Sequence, residues 1–182
     1  MFTEFSNGDG SISHRSNGYS PDFVTHLATH LAYLTRTIAP DTSFLDLSLE
    51  SVKRLDELLT HRKKESSSLP DALIISTVAY CGEVLRTQLG GEWFFYVCPA
   101  DKHGGERYFP AIQSAEGNDI EFVGIVENEF ERSTKFRLHS RLFALTLPPI
   151  PVQQWESHPL GDDLFPPLEK APPLRKIFPA KE

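Results

Sequence analysis

Residues 71–98 read DALIISTVAYCGEVLRTQLGGEWFFYVC, and the side-chain periodicity changes inside that stretch. Up to Leu89 the apolar positions Ile74, Val78, Cys81, Leu85 and Leu89 recur every three or four residues, which places them on one face of a helix. Pro70 and Asp71 suit its first turn, and Gly90 supplies a left-handed stop. From Trp93 to Cys98 the run is continuously aromatic and β-branched, a composition that favours a strand. The helix is the most apolar of the chain and is expected to be the central one, with the strand folding back from Gly90-Gly91 onto it. Gly82 in mid-helix costs about 1 kcal/mol relative to alanine, so a neighbouring element is expected to approach the backbone there. Glu83 and Arg86, three residues apart, can pair on the helix surface.

Upstream, Ser20-Pro21 is a helix start, and Phe23, Leu27, Leu31, Leu34 and Ile38 form one stripe that Pro40 ends. Ser48 can cap a second helix reaching about His61, with Val52, Leu55 and Leu59 inward and Lys53, Arg54, Asp56 and Glu57 outward. Residues 62–68 are charged and serine-rich, hence an exposed connection. Downstream, residues 102–105 carry turn chemistry, residues 107–112 read as a returning antiparallel strand, and a short third strand fits residues 119–123. Ile125, Val126 and Phe130 suit a short helix, and Leu138, Leu142 and Leu145 suit another after Thr134. Helices, then strands, then helices define an α+β domain: three N-terminal helices packed on a small antiparallel sheet, with one or two further short helices.

That domain is expected over residues 20–146. Residues 1–19, rich in Gly, Ser and Asn, read as a flexible leader that buries too little surface to offset its ordering entropy. Nine of the 14 prolines fall in residues 147–182, an extended Pro-rich tail that can be neither a regular helix nor an inner strand. Trp155, Leu160, Leu164, Phe165, Leu168, Leu174, Ile177 and Phe178 punctuate it, so it either straps onto its own domain or docks on another surface.

Composition narrows the function classes. The chain has 182 residues, 40% of them apolar, which is core material for one globular unit. Eighteen basic against 25 acidic residues give a formal charge of -7, so no global positive field holds a nucleic-acid backbone. Two cysteines exclude a disulfide framework. No apolar run is long enough to span a bilayer, and no basic start precedes an apolar segment at the N-terminus. The expectation is a cytoplasmic protein, off the membrane, with Cys81 and Cys98 as reduced thiols.

Leu45-Asp46-Leu47-Ser48, Leu55-Asp56-Glu57-Leu58-Leu59, Ala79-Tyr80-Cys81-Gly82-Glu83-Val84-Leu85-Arg86 and Leu89-Gly90-Gly91-Glu92-Trp93 together resemble small bacterial domains with a GEV-x-R … GG-x-W core. Some of these are domains of unknown function and some look like immunity proteins encoded beside toxins. The likeness covers residues 43–132, about half of the chain, and carries no catalytic signature. It implies an α+β shape and, at its most specific, an immunity-like role.

Candidate chemistry is sparse. His26 and His30, four apart on a helix, can face one metal ion, but Leu27 stands where a zinc-protease helix needs glutamate, and two polar-edge histidines are the ordinary reading. Asn7, Asp9, Gly10 and Ile12 sit as in a calcium loop, yet Phe5 and Ser16 occupy the positions of its first and last anionic ligands. Cys98 with His103 is the one thiol–base pair to consider. Phe94, Phe95, Tyr96, Tyr108 and Phe109 either wall a ligand pocket or belong to the core. Glu116, Asp119, Glu121, Glu127, Glu129 and Glu131 form a run without lysine or arginine, an acidic face that either solvates the protein or meets a basic partner. The reading these choices support is a non-enzymatic protein-interaction module without cofactor, contacting a protein partner through those acids and through Trp155 and Phe165. A small metal-binding protein or enzyme using His26 and His30 is the alternative, and the oligomeric state is left open.

Overall fold

The protein is described by a computed structural model covering residues 19–38, 43–66, 68–99, 105–148 and 175–179. In chain order these form α1 (Leu27–Ile38), α2 (Leu49–Glu65), α3 (Asp71–Leu89), β1 (Glu92–Cys98), β2 (Arg107–Gln113), β3 (Asp119–Ile120), α4 (Val123–Arg132), α5 (Leu138–Thr146) and β4 (Arg175–Ile177). The class is α+β, with the first three helices preceding the sheet.

The central role of α3 follows from its composition. It packs against α1, α4, α5 and β2, and every residue from Ser76 to Leu85 is buried. Gly90 ends it at φ 57°, and the amides of Gly90 and Gly91 both return to the Arg86 carbonyl. That left-handed exit, which costs a glycine nothing, reverses the chain into β1. Gly91 is needed for a second reason: a Cβ there would overlap the Gln113 carbonyl of β2.

The sheet runs β3-β2-β1-β4 and every pairing is antiparallel. β1 and β2 match over seven residues, from Glu92 opposite Gln113 to Cys98 opposite Arg107. Alternation along the strands sends Trp93, Phe95, Val97 and Ile112 into the core shared with the helices. The other face carries Phe94, Tyr96 and Ala111, and there Phe94 and Ala111 are almost fully buried. Each large inward side chain contributes roughly 1.5–3 kcal/mol through apolar burial.

The boundaries differ from expectation where tertiary contacts decide them. Ser20-Pro21 does not start the helix: Ser20 accepts from the Asp22 amide at 3.2 Å, but residues 21–26 form turns and regular α1 starts at Leu27. α2 continues past His61 to Glu65, with Arg62, Lys63 and Lys64 in its last turn, where cations favour the free carbonyls. β3 stops at Ile120, because Val123 already opens α4. Tyr19, placed with the leader on composition, packs in the core, its amide donating to the Tyr108 carbonyl at 2.7 Å. In the tail, residues 175–177 form an edge strand, the position open to a proline-bordered segment. Trp155 and Phe165 lie outside the described residues, as do residues 1–18. Among the described residues no helix is long and apolar enough to cross a membrane.

Candidate functional site

The Gly82–Glu83–Arg86 segment and Trp93 form a single contact. A Cβ on Gly82 would overlap the Trp93 ring, so glycine leaves the slot in which the indole lies against α3. The ring is held edge-on by Phe23 and Phe122, each with centroids 5.8 Å away. Its Nε1 donates to Glu83 Oε1 at 2.6 Å, and Arg86 donates to both Glu83 oxygens at 2.9 Å. The expected helix-surface pair is therefore formed, but its carboxylate is buried and shared with β1. The Glu83 carboxylate holds the Arg86 guanidinium above its ordinary pKa. Three donors on one carboxylate make this a clasp between α3 and β1.

The six acids of residues 116–131 do not share a face. Glu127 and Glu129 are buried, at 5% and 1% exposure. Glu127 accepts from the Tyr19 hydroxyl at 2.9 Å, and burial followed by the Glu127 charge raises that phenol well above its usual pKa. Glu129 accepts from the Arg137 amide at 3.0 Å and Arg141 Nε at 2.7 Å. Asp119 is engaged on the sheet, whereas Glu116, Glu121 and Glu131 are exposed. Charge alone makes the run read as a solvated face. The helical rotation of α4 turns Glu127 and Glu129 inward onto donors from distant segments, so they are not available to a partner.

Asp56 was expected outward and is instead buried at 8% exposure. Its two oxygens accept from the Leu138 and His139 amides, each at 2.9 Å, and so fasten the start of α5 to α2. Burial raises its pKa, those two amides oppose the rise, and the Glu129 charge adds to it. A carboxylate among the apolar positions Val52, Leu55 and Leu59 was the available signal, but only the fold supplies its partners.

The histidine pair does not build a site. His26 is exposed in the turns before α1, while His30 stacks on Phe23 at 5.2 Å and is kept neutral to lower pH by burial and then by His26. Among the described residues no three His, Cys, Asp or Glu side chains are placed to hold a metal ion. Cys81 is buried and its thiol pKa is pushed up by burial. Cys98 is half-buried, and His103 and the residue 5–16 loop lie outside the described residues. The aromatic set is split between the two sheet faces: Phe95 meets Tyr108 edge-on at 6.1 Å on the core side, and Phe94, Tyr96 and Phe109 alternate to the other.

On that outer face lies a cluster that sequence reasoning missed. Asp119 of β3 accepts from the Tyr96 hydroxyl at 2.9 Å, from Gln113 Nε2 at 3.1 Å and from Lys176 of β4. The Lys176 ammonium lies 5.4 Å from the Phe94 ring centroid and 5.9 Å from that of Tyr96, within cation–π range. Phe178 tilts over Phe94 at 5.7 Å. The Lys176 contact holds Asp119 below its ordinary pKa, and burial together with Asp119 pushes the Tyr96 phenol up to about 12. This arrangement binds an extended basic and aromatic segment, here residues 175–178.

Comparison with protein-family models, curated proteins and solved structures gave no match.

Proposed function

We propose that the protein is a non-enzymatic protein-interaction module, with an immunity-like or accessory role in a bacterial system as its most specific version. The observation that carries this reading is on α5. Phe143 on α5 and Leu147, the extended residue that follows its last turn, are 49% and 52% exposed. Large apolar side chains near one helix end stay in water at a cost and favour a partner surface. The exposed acids Glu116, Glu121 and Glu131 add negative charge that suits a basic partner. Glu83, Glu127, Glu129 and Asp56, the buried carboxylates, each accept hydrogen bonds that join one element to another, which supports a structural part for them.

The test is copurification of the full chain from its native lysate beside Phe143→Glu/Leu147→Glu. A stoichiometric protein partner retained by the wild type and lost by a variant with unchanged circular dichroism supports the reading. No partner, or equal retention by both, overturns it.

A further inference from the structure

β4 differs from the other strands in how it is held. β1 and β2 share seven paired positions across a local connection, whereas β4 pairs with β1 at only three: Phe95 with Ile177, Tyr96 with Lys176 and Val97 with Arg175. Yet each side chain of residues 175–178 has its own counterpart. Arg175 donates to Glu106 at 3.0 Å, Lys176 reaches Asp119, Ile177 packs against the core, and Phe178 lies on Phe94. Few backbone pairs with a full set of side-chain contacts is the pattern of peptide recognition by strand addition, in which the ladder gives attachment and alternate side chains give selectivity.

The receiving surface is itself shaped for such a segment. Asp119 is set on the far edge strand and oriented by Tyr96 and Gln113, so a negative charge stands at a fixed distance across the sheet from the β1 edge. Phe94 and Tyr96, edge-on to each other at 5.0 Å, floor the path between them. A long cation crossing that floor keeps its methylenes on aromatic surface and its charge on a carboxylate. Two residues further on, on the same side of the strand, Phe178 completes the cover of Phe94 with ring centroids 5.7 Å apart.

We propose that the β1 edge, with Phe94, Tyr96 and Asp119, is a recognition site for an extended peptide reading basic–aliphatic–aromatic, and that residues 175–179 are its resident occupant. A partner protein presenting the same pattern displaces them. The covalent attachment gives the resident segment a high effective concentration, so the site is held closed against weak ligands and opens to those that match Asp119 and Phe94 better. This deepens the interaction reading by naming a partner chemistry, and it is carried by residues other than those of α5; failure of the following test leaves the α5 surface standing.

The probe is a fluorescent synthetic peptide of residues 175–182, RKIFPAKE. Titrated into full-length Lys176→Glu/Phe178→Ser, whose own segment no longer fits, it is expected to bind at least about tenfold more tightly than to the wild type by anisotropy. A peptide with glutamate in place of the lysine at position 176 is expected to lose that binding. Equal affinity of the variant and the wild type, or equal affinity for both peptides, overturns the proposal. A second measurement needs no variant. Excess native peptide is expected to speed hydrogen exchange of the wild-type Ile177 amide, and unchanged exchange at saturating peptide also overturns it.

Discussion

Lys176 and Asp119 stand on strands at opposite edges of the four-stranded sheet, and their side chains meet over its outer face. The pair ties the last described strand to the shortest one across two intervening strands. Tyr96 lies beneath it and donates to the same carboxylate, so three segments distant in sequence converge on Asp119. The lysine side chain is 41% exposed and the aspartate 21%, which leaves the pair partly screened by solvent. Its main effect is therefore on where β4 sits, more than on global stability.

Tyr96 reports on this junction. Burial raises its phenol pKa most, and the hydrogen bond to Asp119 raises it further, to about 12. Asp119→Asn removes the negative charge, so a near-ultraviolet titration is expected to show one tyrosine ionising at lower pH than in the wild type. The acid limb follows from Asp119, whose folded pKa is depressed by Lys176. Its contribution is complete above the unfolded value of about 4 and is lost as pH falls through the lower folded value. Protection of the Ile177 amide against hydrogen exchange, taken relative to the intrinsic rate at each pH, is expected to fall across that window, and unchanged protection there rules out an ionic anchor.

Gly82→Ala tests the Trp93 slot. Alanine improves helix propensity by about 1 kcal/mol. Against this, the new methyl would overlap the indole, which Phe23, Phe122 and the Glu83 hydrogen bond prevent from moving aside. Overpacking of this kind costs roughly 1–3 kcal/mol. The expected outcome is a net loss of up to about 2 kcal/mol in urea denaturation, with a changed Trp93 emission. A variant as stable as the wild type would mean the helix and strand can separate without penalty.

The contrast between Trp93 and Asp56 shows what local sequence encodes. The α3–β1 hairpin was legible because its determinants are neighbours: helical spacing to Leu89, a left-handed Gly90, then an aromatic run. Gly82 pointed to a close approach, and the approaching group is Trp93, eleven positions away in the same unit. Asp56 and Glu127 read as surface because charge favours water, and their partners Leu138 and Tyr19 lie 82 and 108 positions away, outside any local window. Glu129 reads the same way, its partners Arg137 and Arg141 lying beyond the end of its own helix. Lys176 was hidden for the same reason, since its value depends on Asp119 two strands beyond its neighbour. The stripe Leu138, Leu142 and Leu145 was legible from its helical spacing, and the exposed Phe143 and Leu147 fall off it.

His30 gives stability a pH dependence of predictable sign. Stacked on Phe23 and half-buried, it has a folded pKa below the ordinary 6.5. As pH falls through 6.5 the unfolded chain takes up a proton that the folded chain does not, so stability drops until the folded value is passed. His30→Gln is expected to remove this part of the slope. Unfolding free energies of the two proteins, compared between about pH 7 and pH 5, check it; parallel curves would show that the stacking does not discriminate between protonation states.

Asp56 anchors the start of α5. Both carboxylate oxygens accept amides from the first turn of that helix, and α5 packs on α2 through this junction. Asp56→Ala leaves two part-buried amides without their acceptor, an effect of about 2–3 kcal/mol. Asp56→Asn keeps one acceptor but faces the second amide with a donor, and is expected to lose about 1–2 kcal/mol. The pH dependence runs opposite to that of Asp119. Because burial raises the folded pKa of Asp56, its contribution is complete below the unfolded value and declines as pH rises through the raised one. The deficit of Asp56→Ala relative to the wild type is thus expected to be larger at about pH 3.5 than at pH 7 in denaturant titrations. A deficit that instead grows with pH would show that the two amide hydrogen bonds outweigh burial and hold the ionised carboxylate in place.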